Sequence, residues 1–129
     1  MLKVGIAGIG MMGNTHLEAY SKLKGVKVVA VADLIKARRE GRVAVAGNVK
    51  GQAQSSTDFS TFRQYVEAAD MIVDPDIDII DICLPTPSHA KYAMMALKAG
   101  KHVLTEKPFA RTAREAQQLA QAAAKADTL

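Results

Sequence analysis

Apolar positions change their period several times along this chain. Residues 2–7 are aliphatic and loosely alternating, which predicts a strand. A glycine-rich turn follows. Leu17, Tyr20 and Leu23 then recur at helical spacing with polar residues between, and Gly25 reads as the cap that ends that helix. Residues 26–32 are nearly all apolar, as in a strand buried on both faces within a parallel sheet. Residues 35 to about 46 read as a second helix, interrupted by Gly41, and residues 51–58 as a weak strand at most. A third helix is expected over 60–71, with Phe62, Val66, Ala69 and Met71 on its apolar side. A turn at Asp74-Pro75-Asp76 leads to a strand over 77–84, a helix over 90–98, a short strand over 102–106 and a last helix over 112–125. Strands and helices alternating in this way predict a Rossmann-type, doubly wound α/β domain with a mainly parallel sheet and helices on both faces.

Length and composition narrow the picture. The 129 residues suit one domain, 1–129, of a size that supports its own core. One cysteine, Cys83, excludes a disulfide framework and a cysteine-rich zinc site, and no metal is expected from the spacing of His16, His89 and His102. No apolar run is long enough for a membrane span, and the first residues lack the pattern of a signal peptide. The expected setting is therefore cytoplasmic, with neither membrane nor nucleic acid as partner. The net charge of +4 is mild. Its densest basic run, Lys36, Arg38, Arg39 and Arg42, includes Glu40 and reads first as a solvated helix face, second as a neighbour of an anionic ligand.

The first turn carries candidate chemistry. Gly8-Ile9-Gly10-Met11-Met12-Gly13 fits the pattern G-x-G-x-x-G, and it follows a predicted strand and opens a predicted helix. In that context Gly8 permits the tight turn, Gly10 lets a pyrophosphate approach the backbone, and Gly13 lets helix and strand pack closely. The unpaired N–H groups of the helix start, including those of Met11 and Met12, suit an anion. Asp33 lies twenty positions beyond Gly13, at the end of the second strand. Its carboxylate can accept from both hydroxyls of an adenosine ribose and would repel a 2′-phosphate. Position 34 is Leu34 rather than an arginine that would hold that phosphate, so NAD is favoured. Lys36 and Arg38 keep NADP as the alternative.

A second pair of segments narrows the class. Asp81-Ile82-Cys83-Leu84-Pro85-Thr86-Pro87-Ser88-His89 is followed by Ala99-Gly100-Lys101-His102-Val103-Leu104-Thr105-Glu106-Lys107-Pro108. With the glycine turn, these segments resemble the Gfo/Idh/MocA family, the glucose–fructose oxidoreductase and inositol dehydrogenase group, over nearly the whole chain. The resemblance implies that Leu84, Pro85 and Thr86 run along the nicotinamide ribose and ring, and that His89 begins the next helix as a further cofactor contact. It implies that Glu106 approaches the cofactor ribose, that Lys107 reaches the reacting centre as a catalytic residue, and that a cis bond precedes Pro108. Family members are more than twice as long. The resemblance thus implies a missing C-terminal substrate domain, a small hydroxy compound as substrate, and homo-oligomers in the full-length enzyme. The bare chain is then expected to bind cofactor without turnover.

Other residues read more plainly. His16 reads as a capping or packing histidine or as a pyrophosphate donor, His102 as structural, and Cys83 as a small buried hydrophobe. Asp81 sits oddly in an apolar strand and needs a hydrogen-bond partner or an exposed strand end. A non-catalytic dinucleotide-binding module is the main rival function. An S-adenosylmethionine methyltransferase is a weaker one, because it has no use for Lys107 or for the third glycine.

Overall fold

The computed structural model describes residues 1–42 and 58–129. Its order is β1 (Leu2–Ala7), α1 (Met11–Ser21), β2 (Val26–Ala32), α2 (Lys36–Arg39), β3 (Arg63–Tyr65), α3 (Ala68–Ile72), β4 (Ile79–Ile82), α4 (His89–Lys98), β5 (His102–Thr105) and α5 (Ala113–Lys125). Short 3-10 turns stand at Phe59–Thr61 and Thr86–Ser88. The strands form one five-stranded sheet in the order β3-β2-β1-β4-β5, and every pairing is parallel. From β1 the chain runs outward to β2 and β3, then returns to add β4 and β5 on the other side. That reversal puts a crevice at the carboxyl ends of β1 and β4, the usual ligand position in such sheets.

Alternation along the strands divides the core between the two faces. Val4, Ile6, Val28 and Val31 join Leu17 of α1 in one cluster. Ala30, Ala32, Ile80 and Ile82 join Met71, Ala93, Leu97 and Leu119 of α3, α4 and α5 in the other. The register of β1 on β2 steps between Val4 and Gly5, which allows Val28 and Val31 to serve the same face. β4 follows the same rule of twos. Ile80 and Ile82 lie with α4, so Asp81 between them faces the α1 side at 0% exposure.

The expected boundaries hold for β1 and β2 and shift elsewhere. α1 stops at Ser21, which leaves Leu23 exposed, and Gly25 takes its positive φ of 84° in the turn before β2. α2 is a single turn that ends at Arg39, because Gly41, with φ 68°, turns the chain out of the helix; only residues 43–46 of the expected 35–46 helix, with nearly all of the weak 51–58 strand, lie outside the described residues. The expected 60–71 helix does not form as one element. Asp58 caps a 3-10 turn instead, accepting from Ser60 N at 2.9 Å, and Arg63–Tyr65 becomes β3 on the edge of β2. Phe62 meets Phe59 edge to face at 5.5 Å and packs on the α1-side cluster. Helix begins only at Ala68, and α3 buries Met71 and Ile72. α5 starts at a true cap, with Thr112 Oγ1 accepting from Glu115 N at 3.1 Å.

Candidate functional site

The turn from β1 into α1 is built on two close approaches. Gly8 has φ +92°, and a Cβ there would lie 2.7 Å from the Cys83 carbonyl oxygen, at the end of β4. A Cβ on Gly13 would lie 2.0 Å from the Gly8 oxygen, so α1 rests directly on the strand end. Gly13→Ala should therefore force the backbone apart and destabilise the fold by at least about 1–3 kcal/mol, the usual cost of overpacking. A lowered melting temperature checks this. Gly10 differs from both, since a Cβ there would meet nothing within 4 Å. It is the N-cap of α1, no side chain caps that end, and its first turn holds no acidic residue. The N–H groups of Met11, Met12 and Gly13 therefore face an open position that suits an anion.

Asp33 borders this turn. It is 8% exposed; Oδ2 accepts from Ile9 N at 2.9 Å and Oδ1 from Ile35 N at 2.8 Å. Each carboxylate oxygen keeps further acceptor capacity. Leu34 beside it is largely exposed, and Arg38 Nη1 stands 3.8 Å from Asp33 Oδ2. Arg39 donates to the Asp33 carbonyl oxygen, so part of the basic run is drawn toward this corner rather than being a wholly solvated face.

The opposite wall comes from two loops. Leu84 and Thr86 are half-buried and Pro85 exposed, where β4 turns toward α4. His89 is 2% exposed, and its ring nitrogens face the carbonyl oxygens of Leu84 at 2.5 Å and Pro108 at 2.8 Å. It ties the two loops together, which differs from the direct cofactor contact the motif implied: burial leaves no ring nitrogen for a ligand. Glu106 N donates to the Ile82 oxygen at 3.0 Å, continuing the strand pairing as far as the Glu106-Lys107-Pro108 turn. The Lys107–Pro108 bond is cis. Lys107 is exposed, and its ammonium pairs with no other described residue.

Between these walls lies a group the sequence did not disclose. His16, on the second turn of α1, has Nδ1 2.9 Å from Asp81 Oδ2 and Nε2 3.0 Å from Glu106 Oε1. The Cys83 thiol lies 3.4 Å from His16 Nδ1 and 3.5 Å from Asp81 Oδ1. Burial, with the Asp81 charge second, pushes both the Tyr20 hydroxyl and the Cys83 thiol well above their ordinary ranges, and each hydrogen-bonds Asp81. Cys83 is therefore a half-buried thiol with polar partners, not a plain apolar filler. Among the described residues, His16, Asp81 and Cys83 place donor atoms within 4.8 Å of one another, as a metal site would. The strand's alternation was the available signal, because positions 79, 81 and 83 share the α1 face.

A strand–turn–helix cradle, an acid at the next strand end and a Glu-Lys-Pro turn across the crevice meet in one place. Residues 2–129 match the family model described as oxidoreductase family, NAD-binding Rossmann fold. The chain belongs to this family, Gfo/Idh/MocA. It is 36% identical over 124 residues to an inositol 2-dehydrogenase of Salmonella typhimurium, covering 94% of this chain and 33% of that protein. A levoglucosan dehydrogenase of Pseudarthrobacter phenanthrenivorans is 34% identical over 116 residues, covering 90% of this chain and 28% of that protein. Among solved structures, a myo-inositol 2-dehydrogenase of Lactobacillus plantarum superposes with a TM-score of 0.77 at 29% identity, covering 95% of this chain and 33% of that one. The chain thus spans about a third of the length of these relatives, and its fold is the NAD-binding Rossmann fold that the family model describes.

Proposed function

We propose that this chain is the cofactor-binding half of an NAD-dependent dehydrogenase acting on a sugar, polyol or related hydroxy compound. Its substrate domain and its oligomer contacts would lie outside residues 1–129. The observation that carries this reading is the open backbone at Gly10, flanked by Asp33 on one side and by Glu106-Lys107 on the other. When bound, the nicotinamide supplies a hydride acceptor. The N–H groups of Met11, Met12 and Gly13 would hold the pyrophosphate, and Asp33 would accept from the ribose hydroxyls. Leu84, Pro85, Thr86 and Glu106 would line the nicotinamide end. Lys107 would donate to the substrate oxygen, and its charge would ease departure of the hydroxyl proton. The described residues include no helix long and apolar enough to cross a membrane, and we place the enzyme in the cytoplasm.

Cofactor choice turns on Asp33. Asp33→Ala should weaken NAD binding by about 1.5–3 kcal/mol, the worth of hydrogen bonds to a charged group. NADP binding should fall less or rise, because Arg38, now 3.8 Å from the carboxylate, would be released toward a 2′-phosphate. Titration calorimetry with both cofactors measures the difference. Tighter binding of NADP than NAD by the unaltered chain would assign Asp33 to the glycine turn alone. In the rival non-catalytic module, Lys107 would have no partner at a reacting carbon.

A further inference from the structure

A carboxylate buried in a sheet is costly unless it is paired and hydrogen-bonded, and Asp81 is 0% exposed. Three donors surround it: the His16 ring, the Tyr20 hydroxyl and the Cys83 thiol. The same ring reaches outward, with Nε2 3.0 Å from Glu106 Oε1, whose side chain is 19% exposed. Ionised carboxylates only accept hydrogen bonds, so a ring that satisfies Asp81 and Glu106 together donates from both nitrogens. We propose that His16 is a positioning residue, a two-sided clamp that donates to Asp81 from Nδ1 and to Glu106 from Nε2. It thereby fixes the Glu106-Lys107 turn against the helix that carries the glycine cradle.

The placement gives the clamp its consequence. His16 lies three residues beyond Gly13 on α1, while Glu106 closes β5 on the far side of β4. A dinucleotide stretched across the switch point touches both elements, so their spacing sets how well both ends of it fit. Asp81 anchors the ring, and Tyr20 and Cys83 take two more of its acceptor sites. Glu106 is left with one ordered oxygen on His16, while its other accepts weakly from Lys107 N at 3.3 Å. The three donor atoms that could hold a metal here already satisfy one another, and a metal would have to displace the proton between His16 and Asp81. The effect on cofactor affinity rests on the function proposed above; the clamp itself does not.

Two measurements test it. In the chain labelled with 15N-histidine, long-range proton–nitrogen spectra at neutral pH should show both His16 nitrogens protonated. Asp81→Asn should then move Nδ1 most, and Glu106→Gln should move Nε2 most. A ring with one bare nitrogen, indifferent to Glu106→Gln, would overturn the clamp, as would an Nδ1 shift produced by equimolar Zn²⁺. The second measurement is a double-mutant cycle on NAD affinity. His16→Gln and Glu106→Gln should each weaken NAD by about tenfold, the lower end for a hydrogen bond to a charged group. The double variant should be no more than about twofold weaker than either single one, because the two residues act as a unit. Additive losses approaching a hundredfold would overturn the positioning role. Absence of NAD binding in the unaltered chain would count against the proposed function alone, and the ring spectra would still decide the clamp.

Discussion

Gly10→Val should abolish NAD binding while the chain stays folded. The two halves of that result come from different observations. Gly10 has φ −86°, which any residue adopts, and a Cβ there meets nothing within 4 Å, so valine fits the turn without displacing the core. The remaining cost is that of a poor N-cap, up to about 1 kcal/mol, which lowers the melting temperature by a few degrees. The space that valine fills is the space a pyrophosphate needs in order to reach the N–H groups of Met11, Met12 and Gly13. Loss of that approach removes charge-assisted bonds together with the favourable end of the helix dipole, several of them at about 1.5–3 kcal/mol each. Calorimetry should show affinity falling by more than a hundredfold, and circular dichroism should show an unchanged fold. Gly13→Ala should give the reverse pattern, because its Cβ would stand 2.0 Å from the Gly8 oxygen and strike the fold itself. Unaltered affinity in a folded Gly10→Val chain would move the cofactor away from this turn.

How far the chain could be read from its letters depended on where each element's stability comes from. β1 and β2 carry continuous aliphatic runs, are paired on both sides and are packed on both faces, so local pattern and tertiary demand agree. β3 is the opposite case. Its three residues are exposed or half-buried, and their pairing with Ala30, Val31 and Ala32 is an edge contact made from some thirty residues away. Phe62 and Val66 at helical spacing therefore gave a false period, which the pairing of Arg63–Tyr65 with β2 overrides. The site divides in the same way. The glycine turn, Asp33 and the Glu106-Lys107-Pro108 turn are local motifs, and the fold gathers them at one crevice. The contacts of His16 with Asp81 and Glu106 join three segments, the first of them 65 positions apart, and no local pattern encodes such a pairing. His89 shows the limit of a motif from the other direction: its position matched, but burial at 2% turned it inward to tie two loops.

Lys107 carries the largest expected kinetic effect. Lys107→Ala in the full-length enzyme should cut turnover by about 10²–10⁴, the range for a positioned proton-transfer group, which corresponds to about 3–5 kcal/mol of barrier. The argument starts from geometry. Lys107 follows Glu106, whose backbone bond to Ile82 holds the turn at the carboxyl end of β4, and the His89 ring meets Pro108 on the other side. The turn is thus fixed at both flanks, while the Lys107 side chain is exposed and its ammonium pairs with no described residue. An exposed, unpaired ammonium on a braced turn can meet a substrate oxygen without first breaking an ion pair. Alcohol oxidation needs the hydroxyl proton drawn off, here to a base that the substrate domain would supply, as hydride leaves carbon for the nicotinamide, and a cation beside that oxygen stabilises the developing alkoxide. NAD affinity should change much less than turnover, because the ammonium acts on the substrate rather than on the cofactor. Steady-state kinetics beside cofactor titration separates the two. The isolated 129-residue chain should bind NAD with Lys107 or alanine alike and should oxidise no polyol in either form. Unaltered turnover in the full-length Lys107→Ala enzyme would return the lysine to an ordinary surface role, and steady dehydrogenase activity of the 129-residue chain alone would show that the reaction needs no second domain.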